Sequence, residues 1–356
     1  MRTAGTYIQG LGAVVPEPVP IAEAVRAGRY PAEEVELHEL GGAAVAGDVP
    51  AADLALAAAQ EAFKRAGHPP DGLDLLLYAS SWHQGPDGWQ PQYHLQRHLV
   101  GGDVLALELR QGCNGVLGGL ELAAGYLRGR TADGRAHHAL VVGADNFGTP
   151  MIDRWRMGPG YVAGDGACAV LLGTEPAFAE LLAAGSLAVP EAEGMHRGDE
   201  PLFPPGPTIG RPLDFAGRNA AYRRRALEEG TGTAALVGIH QRSLQVVERT
   251  LDEAGVALAD ITRVAYMNYS KEIVEQRCLA PLGLPLSAST WDFGRMLGHL
   301  GTSDQVVSFD HLLITGELRP GDHFLMLGVG PGVTLSAAVV RVHAPAPWTS
   351  GAGVDR

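Results

Sequence analysis

The chain has 356 residues, 46% of them hydrophobic, enough to bury one large core or two medium ones. Its formal charge of −13 excludes a nucleic-acid partner, because neutralising phosphates takes a broad cationic face. Only three cysteines occur, Cys113, Cys168 and Cys278, with no CxxC spacing, so neither a zinc ribbon nor a disulfide framework is supported.

A reducing cytoplasm is the simplest home. The N-terminus lacks a basic segment followed by a long apolar one, and no run of about 18 uncharged apolar residues occurs anywhere, so the chain reads as soluble and unexported, without a membrane partner. In chain order, the first strong pattern is an amphipathic helix beginning near Ala55 and ended by Gly67. A short turn follows, then a strand over residues 73–79 that is apolar without alternation, as in a strand buried on both faces. The aromatic and Gly-rich stretch SWHQGPDGWQPQYH (81–94) is a loop. A strand over 104–109 then leads through Gly112 to Cys113 and a helix carrying Leu117, Leu120, Leu122, Tyr126 and Leu127. Short apolar strands follow in ALVVGAD (from Ala139) and GACAVLLG (from Gly166).

Residues 174–230, with LFPPGPTIGRPLDF and other Pro/Gly-rich stretches, read as a connection or cap. Beyond them the pattern returns. The helix from Ser243 ends at Gly255, and a strand over 261–267 follows. Ala254-Gly255 matches Ala66-Gly67 at an offset of 188 residues, and Tyr266 matches Tyr78 at the same offset. GHLGTSDQVVSFDHLL matches GCNGVLGGLELAAGYL at an offset of 186, which sets His299 opposite Cys113, and FLMLGVG and VTLSAAVV mirror the earlier strand pair. Two copies of a β/α unit imply a layered α/β sandwich with pseudo-twofold symmetry. The expected organisation is a first half over 1–175, a connecting segment over 176–230, a second half over 231–345 and a flexible tail over 346–356.

The duplication brings the two helix N-termini face to face, so Cys113 and His299 converge. A thiol at a helix N-terminus has its thiolate favoured by the dipole and by unpaired backbone N–H groups, and a neighbouring imidazole exchanges protons with it. Cys168, in a strand, and Cys278, in a helix, fit structural roles. Asp304 either orients the imidazole or is an idle first-turn carboxylate, and Asn268, just past the strand that mirrors Tyr78, is a weaker candidate. The glycines of GVGPG either make a tight turn or bring the Gly332 amide beside that of Cys113 as an oxyanion hole. Arg223 and Arg224, in a run with Arg225, either meet the phosphates of coenzyme A or of a carrier-protein arm, or form a solvated helix face. No histidine spacing suggests a metal, and no strand-GxGxxG-helix order suggests a nicotinamide or flavin, so no cofactor is expected.

QGCNGVLGGLELA, GADNF, GDGACAVLLG and LMLGVGPGVTLSAAVV, in this order, resemble β-ketoacyl-acyl-carrier-protein synthase III and its thiolase-superfamily relatives, over nearly the whole chain. The resemblance implies a thiolase fold, a homodimer of five-layered αβαβα subunits, and a cysteine that takes an acyl group from coenzyme A or an acyl carrier protein. The sequence departs from that family at two places. The histidine of its HQAN-like motif falls where Met267 and Asn268 stand, and His299 occupies the place of the asparagine of its GN motif. That pair holds the thioester oxygen during malonyl decarboxylation, so the departures point away from carbon–carbon condensation. They point toward an acyltransferase resembling those of actinobacterial natural-product pathways, using Cys113 and His299 on a hydroxyl or amine of a small-molecule acceptor. Trp82 and His83, with the loop RWRMGPGY (154–161), are the expected walls of its opening, or else dimer contacts. The alternatives are a starter-unit condensing enzyme that still decarboxylates and a non-catalytic partner subunit.

Overall fold

The computed structural model describes residues 1–349. Nine strands form its main sheet: β1 (Tyr7–Val14), β2 (Leu75–Ala79), β3 (Leu105–Leu109), β4 (His138–Asp145), β5 (Gly166–Gly173), β6 (Ala179–Ala188), β7 (Ile261–Ala265), β8 (His323–Gly330) and β9 (Thr334–Val342). Their spatial order is β3-β2-β4-β5-β1-β6-β9-β8-β7. Only β2–β3, β2–β4 and β7–β8 pair in parallel. Between β1 and β6 just two residue pairs are made, Tyr7 with Glu180 and Ile8 with Ala179, so the sheet is two half-sheets joined at a narrow seam.

Five helices complete the layers: α1 (Ala51–Ala66), α2 (Gly115–Arg128), α3 (Phe215–Glu228), α4 (Gly232–Ala254) and α5 (Asp304–Ile314). Every residue of β2, β4 and β5 is buried, and alternate residues serve opposite faces. Leu75, Leu77 and Ala79 join a central core with α2, α5 and residues of the other half-sheet such as Met326 and Val340. Leu76 and Tyr78 point the other way, into an outer core under α1. Leu325, Leu327 and Leu335 do the same under α4. The layering is therefore helix, sheet, helix pair, sheet, helix, and the continuous apolar runs follow from strands covered on both sides.

The repeat is borne out element by element. α1 and α4 both end in a left-handed glycine, Gly67 and Gly255, and β2, β4 and β5 correspond to β7, β8 and β9. Two expectations need correction. The segment 176–230 is not wholly a connection, because β6 lies within it and matches β1 as the seam strand; past Leu181 its buried residues are small (Ala183, Ala184, Gly185), which hides the pattern in the sequence. The tail assigned to 346–356 is docked where it is described: Ala346 is buried, and the Trp348 ring meets Phe178 edge-on at 5.0 Å with the Arg65 guanidinium over it at 4.8 Å. Residues 350–356 lie outside the described residues. No helix among the described residues is long and apolar enough to cross a membrane.

Candidate active site

After β3 the chain takes a left-handed step at Gly112 (φ 58°), and residues 112–114 form one tight turn before α2. A side chain at position 112 would collide with Pro331, whose Cδ lies 2.3 Å from where its Cβ would stand, so glycine is required here. This turn puts Cys113 just ahead of the helix N-terminus, partly exposed and backed by the apolar cluster of β8, β9 and α4. On the other side, the His299 N–H donates to the Val162 carbonyl at 2.8 Å and its carbonyl accepts from the Gly164 N–H at 2.9 Å. The loop ahead of α5 is thereby stitched to the first half.

The two mirrored residues meet. His299 Nε2 is 2.9 Å from Cys113 Sγ, and His299 Nδ1 is 2.5 Å from Asp304 Oδ2. Asp304, fully buried at the first position of α5, also accepts the Leu300 N–H at 2.7 Å and the Asn268 N–H at 3.0 Å. A carboxylate there is favoured by the helix dipole and by these donors, which fix its orientation. Burial pulls the His299 imidazole down. The charge at Cys113 and then that of Asp304, each also bonded to the ring, outweigh it and hold the imidazole well above its ordinary value. The imidazole is thereby favoured in its protonated form, with Nε2 toward the sulfur and Nδ1 toward the carboxylate.

Asn268 makes no hydrogen bond to the thiol among the described residues. Its side-chain amide donates to the Gly298 carbonyl at 2.9 Å, and its oxygen lies over Gly294, so it braces the peptide that precedes His299. Met267 is buried beside it, with its sulfur 3.4 Å from the Val329 N–H. Gly332 lies in the turn between β8 and β9, the turn that Pro331 presses onto Gly112, and its own surroundings are open. Trp82 packs with Phe147, Ile152, Met157, Tyr161 and Phe215 in an apolar cluster; His83 is half-buried with Nε2 3.9 Å from Asp87. Arg223 and Arg224 are exposed on α3, which packs on residues 190–196 and α4. Arg224 lies 3.7 Å from Asp199, and among the described residues no hydrogen bond or ion pair joins either arginine to Cys113 or His299.

Sequence reasoning missed the enclosure of the imidazole. Tyr161 and Tyr269 stand edge-on to the His299 ring, with centroids at 5.9 and 5.2 Å, and burial pushes both phenols up so that they stay neutral. It also gave no role to the carboxylates of GADNF and GDGA. Asp145, fully buried, accepts the Ser81 and Trp82 N–H groups, the Ser81 hydroxyl and the Thr302 N–H, yet burial still pushes it up to about 6. Asp165 makes a two-bond pair with Arg154 at 2.9 and 3.0 Å and accepts the Ala46 and Phe147 N–H groups. Arg154 is thus a half-buried brace of the 154–161 loop.

Known proteins resemble the chain along this framework. The model for 3-oxoacyl-[acyl-carrier-protein (ACP)] synthase III matches residues 107–185, and the model for its C terminal matches residues 251–342. A beta-ketoacyl-[acyl-carrier-protein] synthase III of Erythrobacter litoralis is 30% identical over 297 residues, covering 81% of this chain and 83% of the relative. A beta-ketoacyl-[acyl-carrier-protein] synthase III 3 of Streptomyces coelicolor is 29% identical over 292 residues, covering 81% and 82%. Among solved structures, ChlB3, described as an acyltransferase, superposes with a TM-score of 0.91 at 66% identity, over 96% of this chain and 99% of that one. The 3-oxoacyl-[acyl-carrier-protein] synthase III of Aquifex aeolicus shares the fold at a TM-score of 0.75 and 20% identity, covering 94% and 99%. With the Cys113 turn inside the first matched segment and His299 inside the second, the chain belongs to the 3-oxoacyl-[acyl-carrier-protein] synthase III family of thiolase-fold enzymes.

Proposed function

We infer that the protein is an acyltransferase that loads an acyl group from acyl-coenzyme A or an acyl carrier protein onto Cys113 and passes it to a hydroxyl or amine of a natural-product acceptor. The observation that carries this reading is the run Cys113–His299–Asp304, combined with the diversion of Asn268 to the Gly298 carbonyl. The thiolate attacks the thioester carbonyl, and the oxyanion is received by the Cys113 and Gly332 amides. The donor thiolate leaves and takes the proton from His299 Nε2. Acylation has now removed the negative charge that held that proton, so the imidazole is neutral and free to act as a base. It takes the proton of the acceptor O–H as the oxygen attacks the acyl carbon. Collapse gives the ester and restores thiolate and imidazolium.

ChlB3, described as an acyltransferase and alike over nearly the full length, supports transfer without condensation. Trp82 and its apolar neighbours, beside Tyr161, suit an uncharged acyl or aglycone group. A crevice lined by Leu244, Val247, Tyr266, Leu327 and Val329, with Arg277 among its polar residues, suits the arm of the donor. The family membership favours one second reading, a condensing enzyme that decarboxylates a malonyl extender. We also infer a homodimer in the cytoplasm: edge strand β3 has no partner on one side, and its Leu105 and Leu107 are 50% and 45% exposed, which invites strand pairing with a second copy.

Intact-protein mass spectrometry with a panel of acyl-coenzyme A and carrier-bound thioesters tests the function. A mass gain that requires Cys113, keeps a malonyl carboxylate intact and disappears on adding an acceptor alcohol supports acyl transfer. Release of carbon dioxide from the loaded enzyme supports condensation instead.

A further inference from the structure

Cys113 is followed by a fully buried polar residue with no part in the proton chain. The Asn114 side-chain amide donates to the Thr334 carbonyl at 2.7 Å, while its oxygen is buried without a partner. A residue kept only to fill this space would be apolar, because an unpaired buried amide oxygen is destabilising. What the asparagine supplies is the single bond from its N–H₂.

That bond lands on the hairpin that packs against the Cys113 turn through Pro331 and Gly330. Thr334 pairs with Gly330 across the turn 331–333, so the bond is made at the foot of the turn that carries Gly332. The hairpin can descend this far because Gly328 and Gly330 have no side chains. A Cβ at 328 would stand 2.4 Å from Asn114 Oδ1, and one at 330 would stand 2.7 Å from the Gln111 carbonyl. The mirrored helix holds the same hairpin from its own first turn, where the Gln305 amide donates to the Leu327 carbonyl at 2.8 Å. Of the two grips, only Asn114 is on the nucleophile turn itself.

We propose that Asn114 is a positioning residue for acyl transfer: by clamping Thr334 to the nucleophile turn it keeps the Gly332 amide registered with that of Cys113, so that both meet the oxyanion of the acyl-transfer step. This rests on the oxyanion-hole assignment made for Cys113 and Gly332. A misplacement of about 1 Å at such a site costs about 10²-fold in rate.

The test compares two reactions of one thiol. Alkylation of Cys113 by iodoacetamide is a displacement at saturated carbon with no oxyanion, whereas acylation by an acyl-coenzyme A forms one. Asn114→Ala removes the clamp, and Asn114→Leu removes it while keeping the volume, in case the smaller residue fails to fold. The expected result is acylation of Cys113 about 10² slower in either soluble variant, followed by intact mass, with alkylation within about twofold of wild type. Equal acylation in wild type and variants overturns the role of Asn114 and leaves the acyltransferase reading standing. Parallel loss of both reactions also overturns it, since a lost thiolate or a collapsed turn then explains the defect. A wild type that takes no acyl group from any donor, yet alkylates, overturns both readings together.

Discussion

The two halves of the molecule share one plan and differ most in the first turns of their central helices. α2 opens with Gly115, Val116 and Leu117 and bears no charge in that turn; its contribution is an accessible thiol and free backbone N–H groups. α5 opens with Asp304 and Gln305, both buried, preceded by Ser303, whose hydroxyl donates to the Gly143 carbonyl at 3.2 Å. One copy supplies the thiol and the other the imidazole and the carboxylate bonded to it. The edges of the halves differ as well. Among the described residues no strand pairs with the outer edge of β3, whereas β7 is covered by residues around Ser289, which bridges to Val264 and whose carbonyl accepts from Arg263 at 2.7 Å. A duplicated scaffold thus fixes where two groups meet, and divergence of a few residues at each helix start decides what they do.

The sharpest way to break this division is at the ring. His299→Gln leaves Cys113 without its proton partner, and acyl transfer should fall by about 10³-fold or more while the melting curve stays close to wild type. Asp304→Asn removes a charge that sustains the imidazolium. The pH profile of Cys113 alkylation should move to higher pH, and acyl transfer at neutral pH should drop by about 10²-fold; an unchanged profile would make Asp304 a mere helix cap.

Leu105→Lys with Leu107→Lys tests the bare edge, and light scattering should show monomers where wild type gives dimers. A matching change at the covered edge, Thr262→Lys, should leave the dimer intact. Asp145→Asn replaces an acceptor oxygen facing N–H donors and should cost about 2 kcal/mol at acid pH. The folded Asp145 carboxyl holds its proton up to about 6, above its ordinary 3.8, so its stabilising contribution is present below the ordinary value and lost as pH rises through about 6. The gap between variant and wild type in chemical unfolding should therefore narrow from pH 4 to pH 7. The smallest effect is expected for Arg223→Ala with Arg224→Ala: unchanged stability, and a KM for the donor raised by no more than about threefold and only at low salt.

Much of the site was legible because the repeat supplied long-range information that local patterns lack. The offset of 186 residues placed His299 on Cys113, and position alone made Asp304 a candidate. For Asn268, adjacency to a strand end says nothing of direction; in three dimensions its amide donates to the Gly298 carbonyl, with its oxygen over Gly294. Tyr161 and Tyr269 lie far apart in the chain and carry no spacing signal, so their closure on the ring emerges only in three dimensions. β6 was hidden because alanines that suit a tight seam lack the bulk that marks a core strand, and because Pro-rich sequence follows it.

The carboxylate of Asp145 has a consequence for how the molecule comes apart. It is held at once by Ser81 and Trp82 from the first half and by Thr302 from the second, close to where the His299 backbone is stitched to residues 162–164. If the second half peeled away alone, a carboxylate and several amides would be stranded in a dry interior, along with the exposed central face of α2. Neither copy is therefore expected to be stable without the other, and calorimetry should show a single cooperative transition for the duplicated chain.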